Sequence, residues 1–353
     1  MLITLALLAS AFAGPTAAPA SPIVIAHRGA SGLRPEHTLA AYRLAIAQGA
    51  DFIEADAVMT RDGVLVARHE NEIGGTTDVA AHPEFAGRRR TKSIDGTSVT
   101  GWFTEDFTLA ELKTLRARER LPELRAESRR HDGEETLPTL QEVIDLVRAE
   151  SKARGREIGL YIETKHPSYH RGLGLAMDEA LVSLLERNRL SRKDAPLFIE
   201  SFEVGNLQRL HNLTEVRLIQ LVNDSGHPPD RPTGETYAAM VTPTGLAAVA
   251  RYAAGIGPAK ALIVPRDAAG RSGAPTGLVG EAHRAGLLVH PWTFRSENAF
   301  LPAEDRRGTA PAAHGDAQAE VRQFLELGVD GIFSDFPGDA VEVRRNLVKP
   351  DKD

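Results

Sequence analysis

The sequence predicts a (β/α)₈ barrel, and three observations carry that expectation. Short β-branched runs recur along the 353 residues, amphipathic stretches lie between them, and eight strands can be counted. Alternation of strand and helix favours a parallel sheet, and eight such strands in one chain of this length suggest a closed barrel.

Strands are predicted at 22–29 (PIVIAHRG), 51–56 (DFIEAD), 158–165 (IGLYIETK), 196–202 (PLFIESF), 216–222 (VRLIQLV), 261–267 (ALIVPRD), 287–294 (LLVHPWTF) and 330–337 (DGIFSDFP). Helices are predicted at 36–49, 139–150, 174–188 and 319–328. The first of these ends on Gly49, as a helix C-terminus often does.

The run VLVARHE (64–70) does not fit as a ninth barrel strand. Only TRDG separates it from the second strand, and a parallel crossover needs a dozen or more residues. Asp62-Gly63 is a favoured two-residue turn, so the run should pair antiparallel. That loop pairs Arg61 with Val64 and, counting back, Asp56 with His69.

From about 71 to 136 the barrel pattern stops, which marks an insertion between strands two and three. It reads as turns and mixed charge, followed by a helix at 108–120. A second long loop is expected at 295–316. Long irregular loops in a compact domain are often functional. At the N-terminus, MLITLALLASAFAGPTAAPASP reads as a secretory signal peptide over residues 1–20, with small-residue cleavage sites ending at Ala13 or Ala20. Its apolar run is too short to span a bilayer, and it lacks the usual positive start. Export to the periplasm or medium follows, with residues 21–353 forming the barrel domain.

The composition narrows the chemistry. With no cysteine there is no disulfide framework, zinc–thiolate site or cysteine nucleophile. A net charge of −6 argues against a nucleic-acid surface. No Walker A motif, GxSxG elbow or dinucleotide fingerprint is present; GLG (172–174) and GIG (255–257) lack the strand–GxGxxG–helix context.

Working groups of such barrels sit at the C-terminal strand ends. Here strand one ends in His27-Arg28, strand two carries Glu54 and Asp56, and strand three carries Glu163 and Lys165. Alternation puts Glu54 and Asp56 on one face, and Glu163 and Lys165 on one face. Three neighbouring carboxylates repel unless neutralised, and all-oxygen ligation selects a hard cation, Ca²⁺ or Mg²⁺. Arg28 and Lys165 beside it suit a phosphate group. His27 and His69 can exchange protons near neutral pH.

Each group alone has an ordinary explanation. A strand-end carboxylate is commonly a surface group, Lys165 could pair with Glu163, and Arg28 could be a structural clamp. Convergence of seven groups on one face favours a site. The other histidines, His37 among them, read as packing or surface. His290 and Trp292 near the end of strand seven are candidates for lining the pocket.

The motifs AHRGASGLRPEHTLAAY, GADFIEADAVMTRDGVLVARHE, YIETKH, PWTFRSEN and GVDGIFSDFP together resemble the glycerophosphodiester phosphodiesterase family. They span nearly the whole mature chain in matching order. The insertion is similar to that of the exported, periplasmic branch.

The resemblance implies a TIM-barrel hydrolase that acts on deacylated phospholipids. Such an enzyme releases glycerol 3-phosphate and an alcohol through a cyclic phosphate. It implies Glu54, Asp56 and Glu163 as metal ligands; the exported location and the three carboxylates favour Ca²⁺ over Mg²⁺. His27 and His69 become the acid–base pair, Arg28 and Lys165 bind phosphate, and Glu36 orients His27 or Arg28. Trp292 falls on the substrate-binding side. Glu70 stands where many members carry Asp, so a carboxylate is kept. The implied partner is a small-molecule diester, with no nucleic acid and no stable membrane insertion. The alternatives are a phospholipase C- or D-like enzyme on intact lipid and a non-catalytic phosphate-binding protein.

Overall fold

The computed structural model describes residues 21–348. The predicted signal peptide lies outside the described residues. Eight parallel strands form the barrel: β1 (Ile23–Ala26), β2 (Phe52–Met59), β3 (Gly159–Thr164), β4 (Leu197–Ser201), β5 (Arg217–Val222), β6 (Gly255–Pro258), β7 (Leu288–Val289) and β8 (Gly331–Ser334). Neighbours in sequence are neighbours in the sheet, and β8 returns to pair with β1. The gap between β7 and β8 is bridged by backbone bonds. Asp330 N–H donates to Val289 O (3.0 Å), Phe333 N–H to Pro291 O (3.1 Å) and Phe294 N–H to Phe333 O (2.8 Å).

Parity explains what the barrel holds. Ile25, Tyr161, Phe198, Ile219 and Phe333 point inward and pack as an aromatic floor, with Phe52 against it. Gly159 has to be glycine here, because a Cβ would come within 2.1 Å of the Phe52 ring. Two residues further along each strand the same parity delivers His27, Glu54, Glu163, Glu200 and Asp335, while Asp56 and Lys165 continue it. The apolar floor and the polar rim above it are thus one alternation pattern.

Helices cover the outside. They include α1 (Leu39–Gln48), α2 (Leu140–Arg154), α3 (Met177–Arg187), α4 (Val204–Leu213), α5 (Pro243–Val249), α6 (Leu278–Arg284), α7 (Ala317–Glu326) and α8 (Pro337–Val348). Thr38 caps α1 by accepting from Ala41 N–H, and Gly49 ends it at φ 97°. Thr139 and Glu142 form a capping box at α2.

The structure corrects four expectations. The hairpin forms, but its register is Ala57↔Ala67, Val58↔Val66 and Met59↔Leu65. Asp56 therefore faces Arg68, whose N–H donates to Asp56 O (3.0 Å), and does not face His69. The loop has three residues, Arg61 to Gly63; Thr60 N–H donates to Val64 O, and only Gly63 has positive φ. A turn followed by a left-handed glycine is the usual three-residue hairpin loop, and it shifts pairing by one position.

The sixth strand is GIGP at 255–258, and ALIVPRD is not a strand; Lys260–Leu262 is a 3₁₀ turn. The helix predicted at 108–120 is only Leu109–Leu112. The insertion is not irregular. Val58, Val66, Ile73, Val79, Phe85, Phe107, Leu112, Leu115 and Leu137 form its own core. It also carries a two-stranded hairpin, Arg90–Ile94 with Thr97–Gly101, turning on Asp95-Gly96, both at positive φ.

Candidate active site

A cleft of about 550 Å³ opens at the C-terminal strand ends. His27, Arg28, Glu54, His69, Glu163, Lys165 and Trp292 all line it. Glu36 and Asp56 stand behind it. Asp56 is fully buried, and Glu36 holds Arg28 through Nη1 (3.0 Å). Glu36 thus supports Arg28 and makes no hydrogen bond or ion pair with His27. His290 does not line the cleft; its Nδ1 shares a hydrogen bond with the Tyr161 hydroxyl (2.9 Å) in the barrel interior.

Both histidines are paired with carboxylates that sequence reasoning left without a role. His27 Nδ1 donates to Asp335 Oδ1 (2.5 Å), and His69 Nδ1 donates to Glu70 Oε1 (2.5 Å). Each carboxylate selects the tautomer that leaves Nε2 as a base. Burial, followed by Arg28, lowers His27 to about 4. Burial, with Arg28 and Lys165, lowers His69 to about 3. Both rings are therefore neutral in the open cleft at pH 7. Burial opposes ionisation of Asp335, yet Arg125, Arg295 and His27 hold it well below the carboxylate range.

Arg28 sits at φ 60°, with Gly29 at 84° after it. That turn aims the Arg28 backbone N–H at Glu54 Oε2. The guanidinium reaches Glu36 on one side and lies 3.6 Å from Asp56 on the other. Lys165 Nζ is 2.7 Å from Glu163 and 3.6 Å from Asp56.

Glu54, Glu163 and Glu200 bring carboxylate oxygens within 4.8 Å of one another, all buried. The trio contains two of the three expected ligands, with Glu200 in the third place. Asp56 lies beside it, tied through Oδ2 to His37 Nε2 (2.7 Å). Burial and then Asp56 push Glu54 well up. Burial, with Asp56 added, pushes Glu163 to about 8 despite Lys165. Burial and Glu163 push Glu200 well up. Burial would raise Asp56 too, but Lys165 and His37 outweigh it and hold it well below the usual range.

Four carboxylates around two fixed cations are an unbalanced set. Asp56 Oδ1 and Glu200 Oε2 are buried and take no hydrogen bond among the described residues. Buried polar atoms seldom stay unsatisfied, so these oxygens fit a hard divalent cation.

The wall facing the carboxylates is aromatic. Trp292 donates Nε1–H to Gly257 O (2.8 Å) and meets Phe202 edge-on at 5.8 Å; Phe202 meets Tyr237 at 6.2 Å. Asp95, at the tip of the insertion hairpin, accepts from His166 Nδ1 (2.6 Å) at the cleft edge.

The comparisons with known proteins agree with this geometry. A glycerophosphodiester phosphodiesterase of Arabidopsis thaliana is 37% identical over 330 residues, covering 90% of this chain and 84% of the relative. One from Haemophilus influenzae is 28% identical over 92% of this chain and 90% of its own length. The solved structure of an Oleispira antarctica phosphodiesterase, in complex with the product sn-glycerol-3-phosphate, shares the fold. Its TM-score is 0.60 at 23% identity, covering 91% of this chain and 96% of that one. Residues 27–339 match the glycerophosphoryl diester phosphodiesterase family, and with a barrel whose rim gathers His27, Arg28, Glu54, Glu163 and Lys165, the chain belongs to that family.

Proposed function

We propose that the chain hydrolyses glycerophosphodiesters to glycerol 3-phosphate and an alcohol, with His27 and His69 sharing the proton transfers. The observation that carries this mechanism is the pair of histidine–carboxylate dyads, His27–Asp335 and His69–Glu70, on one cleft with Arg28 and Lys165. A protein that only binds phosphate needs the basic groups but not two tautomer-fixed imidazoles.

Arg28 and Lys165 orient the phosphodiester. His27 Nε2 takes the proton of the glycerol 2-hydroxyl as its oxygen attacks phosphorus. The bond from phosphorus to the alcohol oxygen breaks, and His69 gives that oxygen a proton. The bound phosphate's negative charge raises the ring that must donate, against its low value in the open cleft. Water then opens the cyclic phosphate with the two roles reversed. Glu54, Glu163 and Glu200, with Asp56 alongside, would hold a divalent cation, which would supply positive charge to the phosphate oxygens and acidify the attacking hydroxyl. The carboxylate-rich set favours Ca²⁺ over Mg²⁺, which keeps several waters. The N-terminal leader reading supports an exported enzyme, where Ca²⁺ is plentiful. No helix among the described residues is long and apolar enough to cross a membrane.

The test is release of glycerol 3-phosphate from a panel of glycerophosphodiesters, before and after chelation and with Ca²⁺ or Mg²⁺ added back. Turnover lost on chelation and restored best by Ca²⁺ is expected. No release from any diester with either ion overturns the function, and full turnover after exhaustive chelation overturns the metal. Phosphatidylcholine as the better substrate, cleaved at its phosphodiester, would point to the phospholipase C- or D-like alternative instead.

A further inference from the structure

The insertion between β2 and β3 sends one arginine to each histidine dyad. Arg120 donates to both oxygens of Glu70 (3.0 and 2.6 Å), the carboxylate that holds His69. The same guanidinium donates to both oxygens of Glu36 (2.7 and 2.7 Å), which holds Arg28. Arg125 donates through Nη2 to Asp335, the carboxylate that holds His27, through Nε to Glu297 (2.6 Å) and through Nη1 to Ser31 O (3.1 Å). Neither arginine lines the cleft.

A carboxylate that must choose a histidine tautomer works only if its own plane is fixed. Glu70 has three rotatable bonds and a side chain 35% exposed, so it needs an external hold. A planar guanidinium making two parallel bonds supplies one, and lysine cannot reproduce the fork. Asp335 is shorter, more buried and also held by Arg295 Nε (2.9 Å). The two dyads therefore depend on the insertion to different degrees.

We propose that Arg120 and Arg125 are positioning residues, each fixing the carboxylate that orients one catalytic histidine, so that the insertion is part of the acid–base machinery. The inference rests on the proposed roles of His27 and His69. Its consequence is graded: Arg120 has no substitute at Glu70, whereas Arg295 backs Arg125 at Asp335.

The groups facing His69 are Arg28, Lys165, Glu70 and Asp56; those facing His27 are Arg28, Asp335 and Arg295. Removing Arg120 leaves the full charge of Glu70 to the imidazole, so the His69 pKa should rise. The experiment measures kcat, KM, the thermal midpoint and the NMR titration of both rings in Arg120→Met, Arg120→Lys, Arg125→Met and Arg125→Lys. Arg120→Met is expected to lower kcat roughly 10- to 100-fold, as misplaced catalytic groups do, and to raise the His69 pKa. Arg120→Lys should return the titration toward the parent without restoring kcat. Arg125→Met should lose less kcat than Arg120→Met and raise the His27 pKa; if it fails to fold, Arg125→Lys carries the same comparison. A folded Arg120→Met with kcat within twofold of the parent overturns the proposal. So does a kcat loss with an unmoved His69 titration, which marks general loosening. If the parent turns over no diester, the functional reading fails, yet the ring titrations still decide whether the arginines govern the dyads.

Discussion

His37 Nε2 donates to Asp56 Oδ2 at 2.7 Å, and both side chains are fully buried. The other ring nitrogen shares a hydrogen bond with the Tyr42 hydroxyl at 2.8 Å, and burial lowers the ring's pKa, so a neutral imidazole is held from both sides. Asp56 is thereby held with Oδ2 occupied and Oδ1 free of hydrogen bonds among the described residues. His37→Ala should cost about 1–3 kcal/mol of stability, because it strips a buried carboxylate of its partner. It should also lower metal affinity or activity roughly 10- to 100-fold, as loss of such supporting bonds does. Urea unfolding and metal titration check this; a parent-like midpoint together with parent-like affinity would remove His37 from the site.

The two dyads make a sharper claim. His27→Ala and His69→Ala should each reduce kcat by ~10²–10⁴-fold with the fold retained. The double variant should be far less than the product of the two losses, since groups acting as one unit are not additive. Near-parent turnover in either single variant, with circular dichroism unchanged, would remove that histidine from the mechanism.

Glu200 tests the cation site. Its burial beside Glu163 is unfavourable without a counter-charge. Glu200→Gln should therefore raise the melting temperature of metal-free protein while shrinking the further rise that Ca²⁺ produces. Melting curves in chelator and in Ca²⁺ read both effects. A Ca²⁺-induced rise equal to the parent's would show that Glu200 is not a ligand.

Metal-free stability should also depend on pH, with a defined sign. Glu163 is raised from 4.5 to about 8 by burial. A raised carboxylate contributes stability that is full below its unfolded value and is lost as pH climbs through its folded value. Glu203, raised to about 7 by burial, acts in the same direction. The buried histidines His27, His37, His69, His170 and His290 are lowered and act the other way, gaining stability with rising pH until about pH 7.5, where the unfolded rings have lost their protons. From pH 7.5 to 8.5 the raised carboxylates, Glu54 and Glu200 among them, act alone, and metal-free protein should lose roughly 1 kcal/mol or more. Ca²⁺ should flatten that slope, because it favours the ionised carboxylates. A metal-free midpoint that is level or rising over this window would show that Glu163 is ionised at neutral pH.

Parity made most of the site legible. His27, Glu54, Glu163 and Lys165 stand on the inward phase of strands whose apolar members are plain in the sequence. Glu200 stands on the same phase in PLFIESF, directly beside Glu163 in register, and extending the count one strand further would have found it. Asp335 follows Phe333 by the same step. His37 carries no such signal; it lies in the turn before α1 and reaches Asp56 only through folding.

Where the sequence misled, a local preference was overridden. Asp62-Gly63 is a good two-residue turn, yet Thr60 accepts the Val64 N–H on its hydroxyl and closes a three-residue loop. The run ALIVPRD has strand propensity, but the barrel uses GIGP. A Cβ at Gly255 would come within 2.7 Å of Leu288 O, so only glycine lets β6 approach β7. The fold of the insertion was hidden because its core draws on residues as distant as Val58 and Leu137.

The insertion hairpin that carries Asp95 forms its own two-stranded sheet and shares no ladder with the barrel. Its tip can therefore lengthen, shorten or change sequence without breaking any barrel hydrogen bond. The floor of the cleft and the edge where Asp95 meets His166 are, in that sense, inherited separately. One is fixed by the strand ladders; the other can change without disturbing them.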